Sequence, residues 1–258
     1  MRVRARFTKL GKIRFVSHRD LARIWERALR RADLPVAYSG GFSPRPRFHF
    51  GLALSVGHES WAEYLDVDLV DDIDEVILAA LPDRFSAVLP TGVDCTAVAV
   101  VPSIGGISLQ EAVTSSSWSI GLDGGSIDEA AAAVDALLGA PSVFITRERK
   151  GKTVNDDIRP YVRSLSLDRS QAGCARPDCA DAGCDHVPDD PGVVLRAEIG
   201  TQPRTLRPAE LIGALGPMWR ERRVVRLAQW IDHEDGRQEP LALPAGPVPW
   251  LRTETCAT

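Results

Sequence analysis

The sequence lacks the features that most directly identify a membrane protein, a secreted protein or a nucleotide hydrolase. None of its apolar runs approaches the ~20 residues that a helix needs to cross a bilayer. The basic residues 1–6 lead into no apolar segment, so they do not form a secretory signal. The Gly-Lys-Ser/Thr of a Walker A site does not follow the glycine-rich loop at residues 39–47. We therefore expect a cytoplasmic protein with no membrane partner.

The net charge of −4 conceals a strong asymmetry along the chain. Residues 1–50 carry 13 Lys and Arg against 3 Asp and Glu, a balance of +10. Residues 51–140 carry 1 Arg against 15 acidic residues, a balance of −14, and residues 141–258 carry 17 charges of each sign. So dense a basic segment indicates either an anionic partner or an acidic segment of the same fold that neutralises it. The sequence leaves both interpretations open.

The basic segment begins with a strand and a helix. Arginine and apolar residues alternate over residues 2–7, which predicts a half-buried strand with a row of guanidinium groups on one side. Residues 13–15 are expected to be extended. Ser17 and Asp20 have capping-box spacing, which predicts a helix from this point. The apolar stripe of that helix comprises Leu21, Ile24, Trp25, Ala28, Leu29 and Ala32.

The order of elements predicts the fold class. Further strands are expected at residues 48–54, 61–69 and 93–101, with a helix at 74–81, giving the βαββαβ order of a ferredoxin-like unit. A similar order follows with strands at 117–122, 142–146, 161–167, 193–199 and 224–231 and helices at 127–138 and 208–215.

We therefore expect an α+β protein with two tandem ferredoxin-like halves, residues 1–104 and 105–235. The second half carries a small Cys/His insertion at 170–190, and residues 236–258 form a loosely packed tail.

The glycine-proline loop at 39–47 follows the basic helix and carries two arginines. Gly40 and Gly41 allow close backbone approach, so such a loop can cradle a phosphate while guanidinium groups supply charge. The alternative is an ordinary tight connection with solvated charges. The predicted RNA- or phosphate-binding residues are Arg2, Arg4, Arg6, Lys9, Lys12, Arg14, Arg19, Gly40, Gly41, Arg45, Arg47, Lys150 and Lys152.

A cluster of cysteines suggests a metal site. Cys174, Cys179, Cys184 and His186 make a Cys₃His set, the usual composition of a closed structural zinc site. The insertion that carries them is too small to fold unaided, and a metal would supply the missing stability. The alternatives are incidental surface residues or a redox-labile disulfide.

His18 is the candidate for acid–base chemistry. It follows a helix cap, where the positive end of the helix dipole favours a neutral imidazole that could act as a base near a phosphate. The alternative is a capping or packing histidine, and no second catalytic group is identifiable.

Several segments together resemble a bacterial family of radical-SAM-associated, or radical-SAM-linked, proteins in its standalone form. These segments are FVSHRDL at 15–21, ALRRA at 28–32, LPVAYSGGFSPRP at 34–46, ALSVGHES at 53–60, EYLDV at 63–67, KGK at 150–152, DIRP at 157–160, TQPR at 201–204 and RPAEL at 207–211. At Arg19, Ser43 and Arg45 the family more often has leucine, asparagine and histidine. The resemblance implies a partner, either a radical-SAM enzyme or a ribonuclease.

Three functional hypotheses follow. The leading one is an accessory RNA-binding protein of a radical-SAM or RNA-processing system, without catalysis of its own. The chain has no CxxxCxxC array, so it carries neither an iron–sulfur cluster nor SAM chemistry itself. One alternative is a metal-independent RNA endonuclease or modification factor that uses His18 with the loop of Arg45 and Arg47. Another is a module that docks a radical-SAM enzyme through the basic helix.

The zinc hypothesis predicts about one zinc ion per purified chain. Cys179→Ser should lower the metal content and the melting temperature, because one of the four ligands is lost. Metal analysis and thermal unfolding measure both. Metal-free wild-type protein, with no change of stability in Cys179→Ser, would contradict the hypothesis.

Overall fold

The α+β class predicted from the order of elements is confirmed. A computed structural model describes residues 1–101, 107–149, 151–168, 192–234 and 236–241. Its strands are β1 (Arg2–Lys9), β2 (Phe48–Phe50), β3 (Glu59–Asp68), β4 (Cys95–Val100), β5 (Ser115–Asp123), β6 (Phe144–Arg149), β7 (Lys152–Asp157), β8 (Val162–Leu167), β9 (Val193–Gly200), β10 (Arg220–His233) and β11 (Gly236–Gln238). Its α-helices are α1 (His18–Arg31), α2 (Glu75–Ser86), α3 (Leu109–Ala112), α4 (Ile127–Gly139) and α5 (Pro208–Leu215).

The amphipathic patterns of β1 and α1 bring these two elements face to face. The side chain of Ser17 caps α1 by accepting a hydrogen bond from the backbone N–H of Asp20 at 3.2 Å. Phe7 of β1 and Trp25 of α1 are both fully buried, with ring centroids 4.9 Å apart. All residues of the predicted apolar stripe except Ile24 are buried. The stripe therefore faces the sheet, and the arginines of α1 remain on the outside.

One sheet runs through both halves of the chain. Its order is β4-β1-β3-β10-β5-β9-β8, with β2 added beside β3 and β11 beside β10. Neighbouring strands are antiparallel except β3 and β10, which are parallel and pair at only two positions. The first half contributes the order β4-β1-β3-β2, and the second contributes β10-β5-β9-β8.

The hydrophobic core is divided in the same way. Buried side chains under α1 and α2 form one cluster with β1 and β3. A second cluster joins α4 and α5 to β5, β8 and β9. In a smaller third cluster, the alternate residues Ala62 and Tyr64 of β3 pack against Leu109 and Leu241.

Two local predictions in the first half were wrong. Residues 13–15 are not extended but belong to the 3-10 helix Gly11–Phe15. Gly11 begins that helix with φ +68°, a backbone conformation that reverses the chain. The strand expected at 48–54 ends at Phe50, because the backbone carbonyls of Leu52 and Ala53 instead accept hydrogen bonds from Arg226.

Two predictions in the second half also need correction. The strand expected at 142–146 lies outside the main sheet, since β6 pairs with β7 in a separate hairpin. Residues 236–241 are not loosely packed, because β11 pairs with β10, and Leu241 is buried. Residues 242–258, and residues 102–106 around the predicted boundary between the halves, lie outside the described residues.

Opposite charges of the two segments meet inside the fold. The Nε and Nη2 atoms of Arg4 donate to the Asp66 carboxylate at 2.6 and 2.8 Å, and both side chains are buried. The Nε of Arg2 donates to Asp68 at 2.7 Å. Antiparallel pairing of β1 with β3 places each arginine directly opposite its acid. Part of the basic excess of residues 1–50 is thus neutralised by the acidic segment that follows.

A second set of ion pairs holds the halves together where β3 meets β10. The Nη1 of Arg226 donates to Glu63 at 2.8 Å, with the side chains only 2% and 7% exposed. Arg223 donates to Glu59, which is also buried. The guanidinium of Arg226 lies 4.9 Å from the ring centroid of Trp118. These contacts supplement a strand pairing that is itself only two positions long.

None of the helices in the described ranges is long and apolar enough to span a bilayer.

Glu63→Ala should destabilise the protein by about 3–5 kcal/mol, because it leaves the buried charge of Arg226 without its partner. The matched control is Glu26→Ala, which removes an exposed ion pair with Arg30 within α1 and should cost about 0.3–0.5 kcal/mol. Urea unfolding of both variants measures the difference. Equal effects would show that the Arg226–Glu63 pair is not needed at the junction.

Candidate nucleic-acid interface

The predicted basic residues divide into a buried and an exposed group. Arg4, Arg6 and Lys9 are all less than 5% exposed. Arg6 lies 3.5 Å from Glu239 and donates to the Tyr64 hydroxyl at 3.4 Å. Residues 239–241 and α3 therefore cover the side of β1 on which Arg4 and Arg6 lie. These side chains are buried against other residues of the same chain, and their contacts stabilise the fold.

Lys9 stabilises the entry into α1. Its ammonium group donates to the backbone carbonyls of Arg14 and Val16 at 3.3 and 3.0 Å. Burial lowers the pKa of Lys9 below its ordinary value, although the nearby Glu63 opposes this effect. The contacts hold the 3-10 turn in place just before the cap of α1.

Arg2, Arg14 and Arg47 are partly exposed and already have acidic neighbours. Arg2 and Arg47 share Asp68, at 2.7 and 3.5 Å, and Arg14 lies 3.9 Å from Glu59. Burial alone would raise the pKa of Asp68, but the hydrogen bond and charge of Arg2, with the charge of Arg47, hold it below its ordinary value. These three arginines can supply positive potential but are not free of local partners.

The outer side of α1 holds the main exposed positive charge. Its exposed arginines are Arg19, Arg23, Arg27, Arg30 and Arg31. Arg23 pairs with Asp20 at 3.0 Å, and Arg30 pairs with Glu26 at 2.7 Å. Within the described residues, the other three have no carboxylate within 4.0 Å.

The predicted glycine-proline loop folds back on itself as a narrow projection, which we call the tongue (residues 38–46). Tyr38 pairs with Pro46 at its base, and the N–H of Ser39 donates to the carbonyl of Arg45 at 2.8 Å. The hydroxyl of Ser39 accepts from the N–H of Arg45 at 3.0 Å. Gly41 has φ +110°, a conformation that favours glycine, and the next residue, Phe42, is fully exposed. The tongue thus displays an aromatic ring at its tip.

A cavity of about 350 Å³ lies between α1 and the tongue. Arg19 and Arg23 line it from the helix, together with Glu26, and Arg45 lines it from the tongue, above Pro46 and Phe48. We call this cavity the arginine pocket. It brings together Arg19 and Arg45, both predicted from the sequence, and adds Arg23, which was not predicted. The four-residue spacing of Arg19 and Arg23 on one helix face was the signal that could have identified it.

The remaining predicted residues lie outside this pocket. Gly40 and Lys12 are exposed, and so is Lys152, which begins β7. Lys150 lies outside the described residues. His18 is exposed and contacts Phe50 edge to face, with ring centroids 4.9 Å apart. Within the described ranges it has no hydrogen-bond partner that could complete a catalytic pair.

The predicted zinc ligands Cys174, Cys179, Cys184 and His186 also lie outside the described residues. Within residues 1–101, 107–149, 151–168, 192–234 and 236–241 there is no group of three or more His, Cys, Asp and Glu side chains that could hold a metal. Cys95 is a buried free thiol in β4, and burial raises its pKa to about 12. It is therefore a packing residue and not a nucleophile.

Comparison with known proteins matches most of the chain to a protein family. The model of a family described as an uncharacterized protein conserved in bacteria, DUF2344, matches residues 2–187. The matched range includes β1, α1, the tongue and the arginine pocket. No curated protein matches the chain.

Proposed function

We propose that the chain, which belongs to the DUF2344 family of uncharacterised bacterial proteins, binds RNA through the arginine pocket and the tongue. It acts as an accessory protein, without chemistry of its own. The observation that carries this proposal is the convergence of Arg19, Arg23 and Arg45 on one cavity.

The charges of the pocket favour an anion. Arg19 and Arg45 have no carboxylate within 4.0 Å among the described residues, so their guanidinium groups are available for new hydrogen bonds. Glu26 also lines the cavity, but its charge is balanced by Arg30. Guanidinium groups bind phosphate oxygens through paired, charge-assisted hydrogen bonds. A phosphate group is therefore the occupant that best matches this donor set.

Exposed aromatic rings on the tongue and just before α1 favour a nucleic acid over a free phosphate. Phe42 stands at the tip of the tongue that also carries Arg45, and its side chain is fully exposed. Phe15 is 62% exposed beside the start of α1, with the Arg14 guanidinium 4.6 Å from its ring centroid. Proteins that bind single-stranded RNA combine basic grooves with rings on which unpaired bases stack.

Other parts of the expected function remain proposals that rest on the sequence. The partner enzyme, a radical-SAM enzyme or a ribonuclease, is supported only by the resemblance of the quoted segments. The structural zinc is supported by the Cys₃His composition. Ferredoxin-like folding of each half is supported by the strand orders β4-β1-β3-β2 and β10-β5-β9-β8. An endonuclease that uses His18 gains no support, because among the described residues His18 has a ring contact with Phe50 but no hydrogen-bond partner that could form a catalytic pair.

Salt dependence of RNA binding tests the pocket. The affinity of the wild-type protein for a labelled single-stranded RNA should fall steeply with salt concentration, because bound phosphates release counterions. Arg19→Ala with Arg45→Ala should reduce the slope of log K against log salt by about 1.4, or roughly 0.7 for each lost contact. Fluorescence anisotropy over a series of salt concentrations measures both slopes.

The matched control is Arg27→Ala with Arg31→Ala, which removes the same charge from the other flank of α1. Its slope should change less than that of the pocket variant. Equal slopes in the two variants would mean that the helix attracts RNA only by its overall charge. Absence of binding to the wild-type protein even at low salt would overturn the proposal.

The exposed ring of the tongue leads to a separate prediction. Phe42→Ala should weaken binding of single-stranded RNA by about 5- to 150-fold, since stacking contributes about 1–3 kcal/mol per base. The salt slope should not change, because no phosphate contact is lost, and Phe42→Trp should bind as well as the wild type. Phe144→Ala, at another exposed phenylalanine, is the control and should bind normally. Equal affinities in the two alanine variants would exclude stacking on the tongue.

A further inference from the structure

The other flank of α1 borders a second and chemically different cavity, of about 450 Å³. Ile13, Ile24, Val88, Leu89 and Pro90 line it, and all are half-buried. Arg27 and Arg31 complete its lining from α1. We call this cavity the apolar groove. It shares no lining residue with the arginine pocket.

The walls of the groove are held in place by the fold. The N–H groups of Val88 and Leu89 both donate to the carbonyl of Phe85 at 3.0 Å, which fixes the turn after α2. The N–H of Leu10 donates to the carbonyl of Gly92 at 2.8 Å, and a Cβ atom on Gly92 would lie 2.2 Å from the carbonyl of Leu10. The turn is therefore pressed against the segment that carries Ile13. A ligand would meet a surface that is already formed, which lowers the entropic cost of binding.

The two arginines of the groove determine which ligands it can bind. Arg27 and Arg31 are four residues apart, so they lie on the same side of the helix. Both are exposed, and in the part of the chain that the structure describes neither has a carboxylate within 4.0 Å. Arg30, between them in sequence, is already paired with Glu26. The groove thus offers an apolar floor with two available guanidinium groups beside it.

We propose that the apolar groove docks an acidic amphipathic segment of a partner protein. Its leucine-like side chains would cover Ile13, Ile24 and Leu89, and its carboxylates would pair with Arg27 and Arg31. RNA does not match the groove, because the lining has no aromatic side chain on which a base could stack. The helix α1 then has two binding flanks, one for phosphate and one for carboxylate beside apolar side chains.

Three synthetic helical peptides test the proposal on the full-length protein. The first has leucines at i, i+3, i+4 and i+7 with glutamates beside them. The second replaces the glutamates with lysines, and the third scrambles the first so that the leucine stripe is lost. Fluorescence anisotropy should show that the first peptide binds at least about tenfold more tightly than either of the others.

Variants then locate the site. Arg27→Gln with Arg31→Gln should weaken binding of the first peptide at least about tenfold, while Arg30→Gln, at a paired position, should have little effect. Arg19→Ala with Arg45→Ala should retain peptide binding, because these residues do not line the apolar groove. Failure of the docking proposal can therefore be distinguished from failure of the RNA-binding proposal. Circular dichroism and thermal unfolding establish that each variant is folded.

Three results would overturn the proposal. If the scrambled acidic peptide binds as tightly as the first peptide, the interaction depends only on overall charge and not on the leucine stripe. Unchanged binding in Arg27→Gln with Arg31→Gln would place the peptide elsewhere. A rise of tenfold or more in affinity after removal of residues 242–258 would identify the C-terminal segment of this chain as the natural occupant.

Discussion

The structure depends on the pairing of buried guanidinium groups with carboxylates across the strands of one sheet. Arg4 lies opposite Asp66 within the first half, and Arg226 reaches Glu63 across the junction between the halves. A guanidinium group cannot lose its proton at accessible pH, so once buried it must keep its carboxylate partner. The residues that surround each pair are therefore constrained as well. The segment at 239–241 is held over β1 partly because Arg4 donates to the Pro240 carbonyl at 3.0 Å.

This internal neutralisation determines where positive charge remains exposed. Alternation along β1 directs its arginines towards acids of the same chain, whereas the apolar stripe of α1 directs its arginines to the solvent. The tongue then brings Arg45 beside Arg19 and Arg23 at one flank of the helix. At the other flank the turn after α2 supplies aliphatic side chains beside Arg27. One helix thus presents two chemically distinct surfaces because different elements pack on its two sides.

The local elements could largely be predicted from residue patterns, and the errors have physical causes. The cap at Ser17 and the helix Pro208–Leu215 follow from short-range rules that need no tertiary contact. The strand expected at 48–54 is shorter because Arg226, far away in sequence, binds the carbonyls of Leu52 and Ala53. Prediction of the site is limited in the same way, because sequence patterns do not show contacts between residues that are far apart in the chain. Arg6 and Arg19 are both arginines of the basic segment, and only packing buries the first and exposes the second.

The amino-acid sequence by itself determined the α+β class, the cap and apolar stripe of α1, the glycine-dependent shape of the tongue, and the concentration of positive charge in residues 1–50. It did so because these properties depend on neighbours within a few residues. Only the tertiary structure decided which of those charges face acids and which face solvent, because this depends on the register between β1 and β3 and on the contact of Arg6 with Glu239. The balance of +10 was therefore a correct count of charge but not a map of the exposed positive surface. The exposed surface is the part of that charge that the acids of β3, the acids of α1 and Glu239 do not neutralise.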